Sequence, residues 1–376
     1  SAKEELPEEI ETVEPKRISA YKTFYVSKDG SDKNCGSKDE PFATISKAVE
    51  TYSLLSEADK ELWTAIYIRE GEYEVGETAE LTTASAGKNG SARLYIGAYN
   101  NEEVKLKSGR KVYGDMLNRV TEDNTPAVTF NRINKKIDGL WYIDYASLGI
   151  DSMEGTAYGN AGKKPMLSYN GKNSTLSRYP NGGYTYIIDV IDSGYDANGA
   201  YTEKVRFIPE DLRPFEWYNS GEIGICGQLR VPWFMNHMQA EFDSAQKTVS
   251  APAVQAVDQG HGANVKLING NPSRLYYYNI LEEIDVKGEW CYSDAEKRIY
   301  IYPPDGEPSD DDCIELIGEL NGYVFSLSGV SDVIIDGLEF EMLKCGIKAT
   351  ECENTIIQNC RFRNISSAAV GFAKCR

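Results

Sequence analysis

Residues 332 to 342, DVIIDGLEFEM, can be written directly above residues 354 to 364, NTIIQNCRFRN, at an offset of 22. Ile334 and Ile335 fall on Ile356 and Ile357, Leu338 on Cys360 and Phe340 on Phe362. Gly337 falls on Asn359. Gly and Asn take positive φ most readily, so a left-handed bend is expected at the same place in each copy. CGIKA (345–349) then matches AAVGF (368–372) at an offset of 23, after one inserted residue. A period of this size with several short strands per copy makes identical positions stack, the signature of a parallel β-helix.

The period also assigns the charges. Leu338 and Phe340 alternate with Glu339 and Glu341, so the apolar pair faces inward and the acids outward. One copy later Cys360 and Phe362 alternate with Arg361 and Arg363 in the same way. Glu339 is therefore expected beside Arg361, Glu341 beside Arg363, and Glu351 beside Lys374. These read as surface charge ladders, each pair worth about 0–1 kcal/mol. Cys360, with Cys345 and Cys375, is expected in the core stack, because a buried thiol packs as a small apolar group.

The 376 residues carry a net charge of -18. Nucleic acid is excluded as a partner, because phosphate binding needs a basic surface. A polyanionic substrate would need a local basic groove. No run of eighteen apolar residues exists, so no membrane-spanning helix is expected. The opening SAKEELPEEIETVEPK is acidic and polar; it reads as a mature N-terminus or a linker. The eight cysteines include no CxxC, which argues against a zinc site.

Along the chain, residues 1–19 are expected as an acidic flexible segment. Residues 20–110 read as the start of the β-helix, in which Ile45, Ala48, Val49 and Tyr52 form the apolar stripe of a helix beginning near Phe42. Residues 111–312, with aromatic runs such as GLWYIDY and GEWCYSDAEKRIYIYPP, read as an inserted antiparallel β region. Residues 313–376 read as further rungs. The chain ends in mid-repeat without a polar cap, so a C-terminal continuation, or a second chain completing the β-helix, is expected.

Residues 24–49, within FYVSKDGSDKNCGSKDEPFATISKAVE, resemble the opening of right-handed parallel β-helix proteins of the pectin-lyase-like superfamily. SYNGKNSTLSRYPNGGY (168–184) and the stretch 276–306 are similar to the inserted region of a subset of these proteins. That subset holds bacterial glycoside hydrolases, lacto-N-biosidase-like or α-L-fucosidase- and xylanase-like. The resemblance implies an all-β, right-handed parallel β-helix with an N-terminal capping helix and an inserted antiparallel region. It also implies an extracellular or cell-surface protein acting on an oligo- or polysaccharide.

Glycoside hydrolysis needs two carboxylates flanking the scissile bond. Asp332, Asp336 and Glu351 are the candidates, although Asp336 before Gly337 reads more readily as a turn-stabilising residue. Among the aromatics of the insertion (Trp141, Tyr142, Trp217, Trp233, Phe234 and Trp290), Trp233 stands out. Arg230, Trp233, Asn236 and His237 combine a stacking face with polar groups, as a sugar site requires. Asp310, Asp311 and Asp312 supply oxygens suited to a calcium cofactor, but a solvated loop is the commoner reading. Gly260-His261-Gly262 lacks its companion motifs and is taken as coincidence. The function expected is glycan cleavage by a carboxylate pair; the alternatives are a polysaccharide lyase and a non-catalytic glycan-binding protein.

Overall fold

A computed structural model of the chain describes residues 16–153, 165–195, 201–228, 235–252, 273–317 and 322–376. The chain divides into two compact units, residues 1–108 with 320–376 and residues 109–319. The first unit opens with β1 (Lys22–Val26), α1 (Ile45–Ser53) and β2 (Thr64–Ile68). β3 (Gly71–Glu74), β4 (Ala79–Thr82), β5 (Ser91–Ala98) and β6 (Val104–Lys107) follow.

Two parallel sheets form this unit. One runs β1, β2, β5, Ser331–Asp336, Glu353–Gln358; the other runs β3, β6, Leu338–Thr350, Tyr323–Ser328, β4, with Arg361–Ala373 paired to Leu338–Thr350. Strict alternation dictates what each strand buries. Phe24, Ile66, Ile96, Ile335 and Ile357 share one register row, and the first four are almost wholly buried. Each such side chain contributes roughly 1.5–3 kcal/mol. Phe340 and Phe362 stack with centroids 4.6 Å apart. Cys345 is buried, and Cys360 and Cys375 are half-buried against the same core.

The repeat offset is observed as pairing: Ile334 on Ile356, Glu339 on Arg361 and Phe340 on Phe362. The backbone repeats with it. Positive φ recurs at Asp332 and Asn354, at Gly337 and Asn359, and at Met342 and Asn364. α1 buries the expected Ile45, Ala48, Val49 and Tyr52 but begins at Ile45. Phe42 instead donates its N–H to Tyr25 O, Asp32 accepts from the N–H groups of Ala43 and Thr44, and Thr44 caps the helix.

The expected fold class, a right-handed parallel β-helix with a capping helix and an inserted antiparallel region, is corrected. Among the described residues no single solenoid runs through the chain; they form a mostly β protein of five sheets, parallel and mixed. The parallel sheets are closed by partners from opposite ends of the sequence, β5 with Ser331–Asp336 and β6 with Leu338–Thr350, rather than by successive coils. The periodicity that suggested a solenoid belongs to the last strands only. The charge ladder differs too. It extends to four strands, Glu72–Lys105–Glu339–Arg361 and Glu74–Lys107–Glu341–Arg363. Glu339 and Glu341 are buried, at 6% and 4% exposure, because cationic side chains lie over them.

The second unit holds the other three sheets, in which antiparallel pairing dominates and one pair, Thr175–Leu176 with Glu289–Ser293, is parallel. Glu289–Ser293 and Arg298–Ile301 form a hairpin around the Asp294–Lys297 turn. Three apolar clusters fill the unit, with Trp290, Tyr277 and Tyr300 among the most deeply buried side chains.

Candidate functional site

In β1, β2 and β5 a tyrosine sits between two inward apolar residues: Phe24-Tyr25-Val26, Ile66-Tyr67-Ile68 and Leu94-Tyr95-Ile96. Alternation turns each tyrosine to the outer face of the sheet. Tyr25 pairs in register with Tyr67, and Tyr67 with Gly97. Tyr95 stands outside that register row, yet its ring lies across Gly97: a Cβ there would come 2.7 Å from Tyr95 Oη and 2.9 Å from its Cε1. Glycine thus leaves room for a third ring beside the first two.

The rings form a continuous half-buried cluster. Centroids lie 5.7 Å apart for Tyr25–Tyr67, 5.8 Å for Tyr67–Tyr95, and 5.6 Å from Tyr99 to both Tyr25 and Tyr67. Arg69 lies over Tyr99 at 5.2 Å and pairs with Glu102 at 2.9 Å. That hydrogen bond holds Glu102 below the usual carboxylate range. Lys38 donates to Tyr99 Oη at 3.2 Å and lowers the phenol's pKa. Burial pushes the Tyr67 and Tyr95 phenols up, and for Tyr95 the neighbouring Asp336 adds to it.

Asp336 closes the row. It pairs in register with Gly97 and Gln358, so the row crosses the strands as Tyr25, Tyr67, Gly97, Asp336, Gln358. Tyr95 Oη donates to Asp336 Oδ2 at 3.0 Å, Gln358 Nε2 to the same oxygen at 2.9 Å, and Asn359 Nδ2 to Oδ1 at 2.8 Å. Among the described residues its side-chain partners come from neighbouring strands and the next bend, not from its own turn. The Gln358 amide also exchanges hydrogen bonds with the Lys16 backbone. Aromatic faces, a fixed carboxylate and amide and guanidinium donors are the groups that recognise a sugar's C–H face and hydroxyls.

The other sequence candidates are dispersed. Asp332 lies second in the same strand and accepts from Ser91, Ser331 and Asn354; burial pushes its carboxyl up, but these hydrogen bonds outweigh it and the pKa is lowered. Glu351 is exposed and pairs with Lys374 at 3.2 Å, as its register position implies. Trp233, Arg230 and the Gly260–Gly262 motif lie outside the described residues. Of Asn236 the backbone pairs with Gly227. His237 stands opposite Cys226, with Nε2 3.3 Å from Sγ, and packs edge-on against Tyr278. Asp310 and Asp311 are exposed on a turn. Asp312 accepts from Tyr169, Asn170 and the Ser309 N–H; burial raises its pKa, but these bonds outweigh it and hold the carboxyl low. Sequence reasoning missed the tyrosines, though their signal, an F-Y-V, I-Y-I and L-Y-I alternation in three strands, was present.

The chain shares its fold with a solved structure described as a glycoside hydrolase, at a TM-score of 0.63 and 15% identity over 94% of this chain. It spans 65% of that chain's length. A second solved structure, XylC in complex with xylose, covers 88% of this chain and 41% of its own at 11% identity, but its TM-score of 0.28 carries no argument. No protein-family model matches the sequence, and no curated protein is similar enough to count as a relative. No helix among the described residues is long and apolar enough to cross a membrane, which says nothing of strands.

Proposed function

We propose that this chain belongs to a carbohydrate-active enzyme, a glycoside hydrolase that seats a glycan along the tyrosine row of the parallel sheet. The observation that carries the reading is the row itself: three rings in adjacent strands leading to a carboxylate held by three donors. The shared fold with a glycoside hydrolase supports it. In this reading Tyr25, Tyr67 and Tyr95 stack on successive sugar rings, Arg69 and Gln358 bind hydroxyls, and Asp336 serves as one of the two carboxylates that hydrolysis requires.

Digestion of a panel of neutral and uronic-acid glycans tests this, with reducing ends measured alongside absorbance of unsaturated products. Asp336→Asn is expected to reduce hydrolysis by about 100-fold or more, the scale of a lost acid–base or nucleophilic carboxylate. Tyr67→Ala is expected to raise KM. An ultraviolet-absorbing product would make the protein a lyase, and binding without turnover a non-catalytic glycan binder; either result overturns the hydrolase reading.

A further inference from the structure

In the second unit, strands Asn118–Arg119 and Arg298–Ile301 both pair antiparallel with Trp141–Asp144, which puts Arg119, Trp141 and Ile301 in one cross-strand row. Tyr302 follows at the end of that strand. Beside these residues opens a cleft of about 180 Å³, lined by Arg119, Asp138, Gly139, Trp141, Tyr302 and Glu307. Trp290 and Trp217, two further aromatics of this unit, are buried in the cores, whereas Trp141 is partly exposed at this cleft.

We propose that this cleft is a binding subsite for one neutral pyranose ring of a glycan. Its chemistry is that of a sugar site. Trp141 and Tyr302 supply aromatic wall, and a Cβ at Gly139 would stand in ordinary contact with it, 3.9 Å from the indole Nε1 and 3.7 Å from an Arg119 amino nitrogen. Tyr302 Oη donates to Asp138 Oδ1 at 2.8 Å. That bond fixes the carboxylate and leaves Oδ2 to accept from sugar hydroxyls. It also lowers the Asp138 pKa, which favours the acceptor form. Arg119 spends one amino group on the Asp138 carbonyl at 3.3 Å. Its guanidinium has further N–H donors for hydroxyl oxygens. Glu307, exposed and without a side-chain partner among the described residues, offers a second acceptor. The lining carries two carboxylates and one guanidinium, and Lys287 acts on Asp138 from nearby, so no excess of positive charge awaits an anionic sugar. The chain's net charge of -18 disfavours uronic acids against neutral sugars at long range. The inference concerns a different unit from the tyrosine row and does not need that row to catalyse.

The test is calorimetric titration and saturation-transfer NMR of the full chain with methyl β-D-glucopyranoside, methyl β-D-galactopyranoside, cellobiose and lactose, with galacturonic acid as the anionic arm. At least one neutral probe is expected to bind. Asp138→Asn should weaken it about tenfold or more, the scale of a hydrogen bond to a charged group. Trp141→Ala should remove transfer to the ring protons. Tyr302→Phe, which frees Asp138 without altering the wall, should weaken binding less than Asp138→Asn. The titrations are repeated in a Tyr67→Ala background, where the tyrosine row is disabled and the losses from Asp138→Asn and Trp141→Ala should persist, so failure here is distinguishable from failure of the hydrolase reading. The proposal is overturned if no neutral probe binds, if binding survives both Asp138→Asn and Trp141→Ala, or if galacturonic acid binds more tightly.

Discussion

Gly97 shows how a missing side chain can build a surface. Its strand neighbours in the outer row are Tyr67 and Asp336, and the space a Cβ would fill is taken by the Tyr95 ring and the Asp336 carbonyl, 2.7 Å away. The backbone there is not in a left-handed conformation, so the constraint is one of contact rather than φ. Gly97→Ala must therefore push Tyr95 off the row or force neighbouring strands apart, and a destabilisation of about 1–3 kcal/mol is expected, typical of overpacking. Tyr95→Phe keeps the ring and loses one hydrogen bond, for about 1 kcal/mol. Denaturant melts should rank them in that order, and glycan binding should suffer more from Gly97→Ala. Equal effects would mean that Gly97 does not shape the face.

The charge ladder makes the same comparison possible between strands. The Lys107 side chain is 12% exposed and lies 3.2 Å from Glu341, whose side chain alone is 6% exposed, and 3.6 Å from Glu72. Glu351 and Lys374 form the same kind of cross-strand pair, but their side chains are 60% and 78% exposed. Breaking a buried pair costs about 3–5 kcal/mol when it strands a charge, with the low end expected here because Arg363 stays 3.9 Å from Glu341, whereas an exposed pair is worth about 0–1 kcal/mol. Lys107→Ala is expected to lose about 3 kcal/mol in chemical denaturation, and Lys374→Ala less than about 0.5 kcal/mol. Comparable losses would show that burial does not set the worth of these pairs. The pairs themselves were legible, because the repeat offset and a strand period of two fix which side chains meet. Their burial was not, since it depends on β3 and β6, which contribute Glu72 and Lys107 from the other end of the sequence. The tyrosine row escaped for the same reason: it joins β1, β2 and β5 to Asp336, and only long-range pairing puts them side by side.

At the scale of the molecule, the segment between the parallel strands is a unit in its own right. The chain enters it through Arg110–Tyr113 and leaves through Cys313–Leu316, and these two strands pair antiparallel with Arg110 opposite Leu316. Entry and exit are thus neighbours within the unit's own sheet. Among the described residues, each of its three apolar clusters draws only on residues between 109 and 319. Hydrophobic burial supplies the main driving force for folding, and the described part of that burial here is drawn from the unit's own residues. Residues 109–319 expressed alone are therefore expected to melt cooperatively, with native-like near-ultraviolet circular dichroism. The excised unit should also keep the neutral-pyranoside affinity of the Trp141 cleft within about threefold, since loss of a single ordinary contact would cost about that much. A fragment that binds hydrophobic dyes and lacks a cooperative melt would show that its cores need the rest of the chain. A fragment that folds but does not bind would place determinants of the cleft outside the strands that line it.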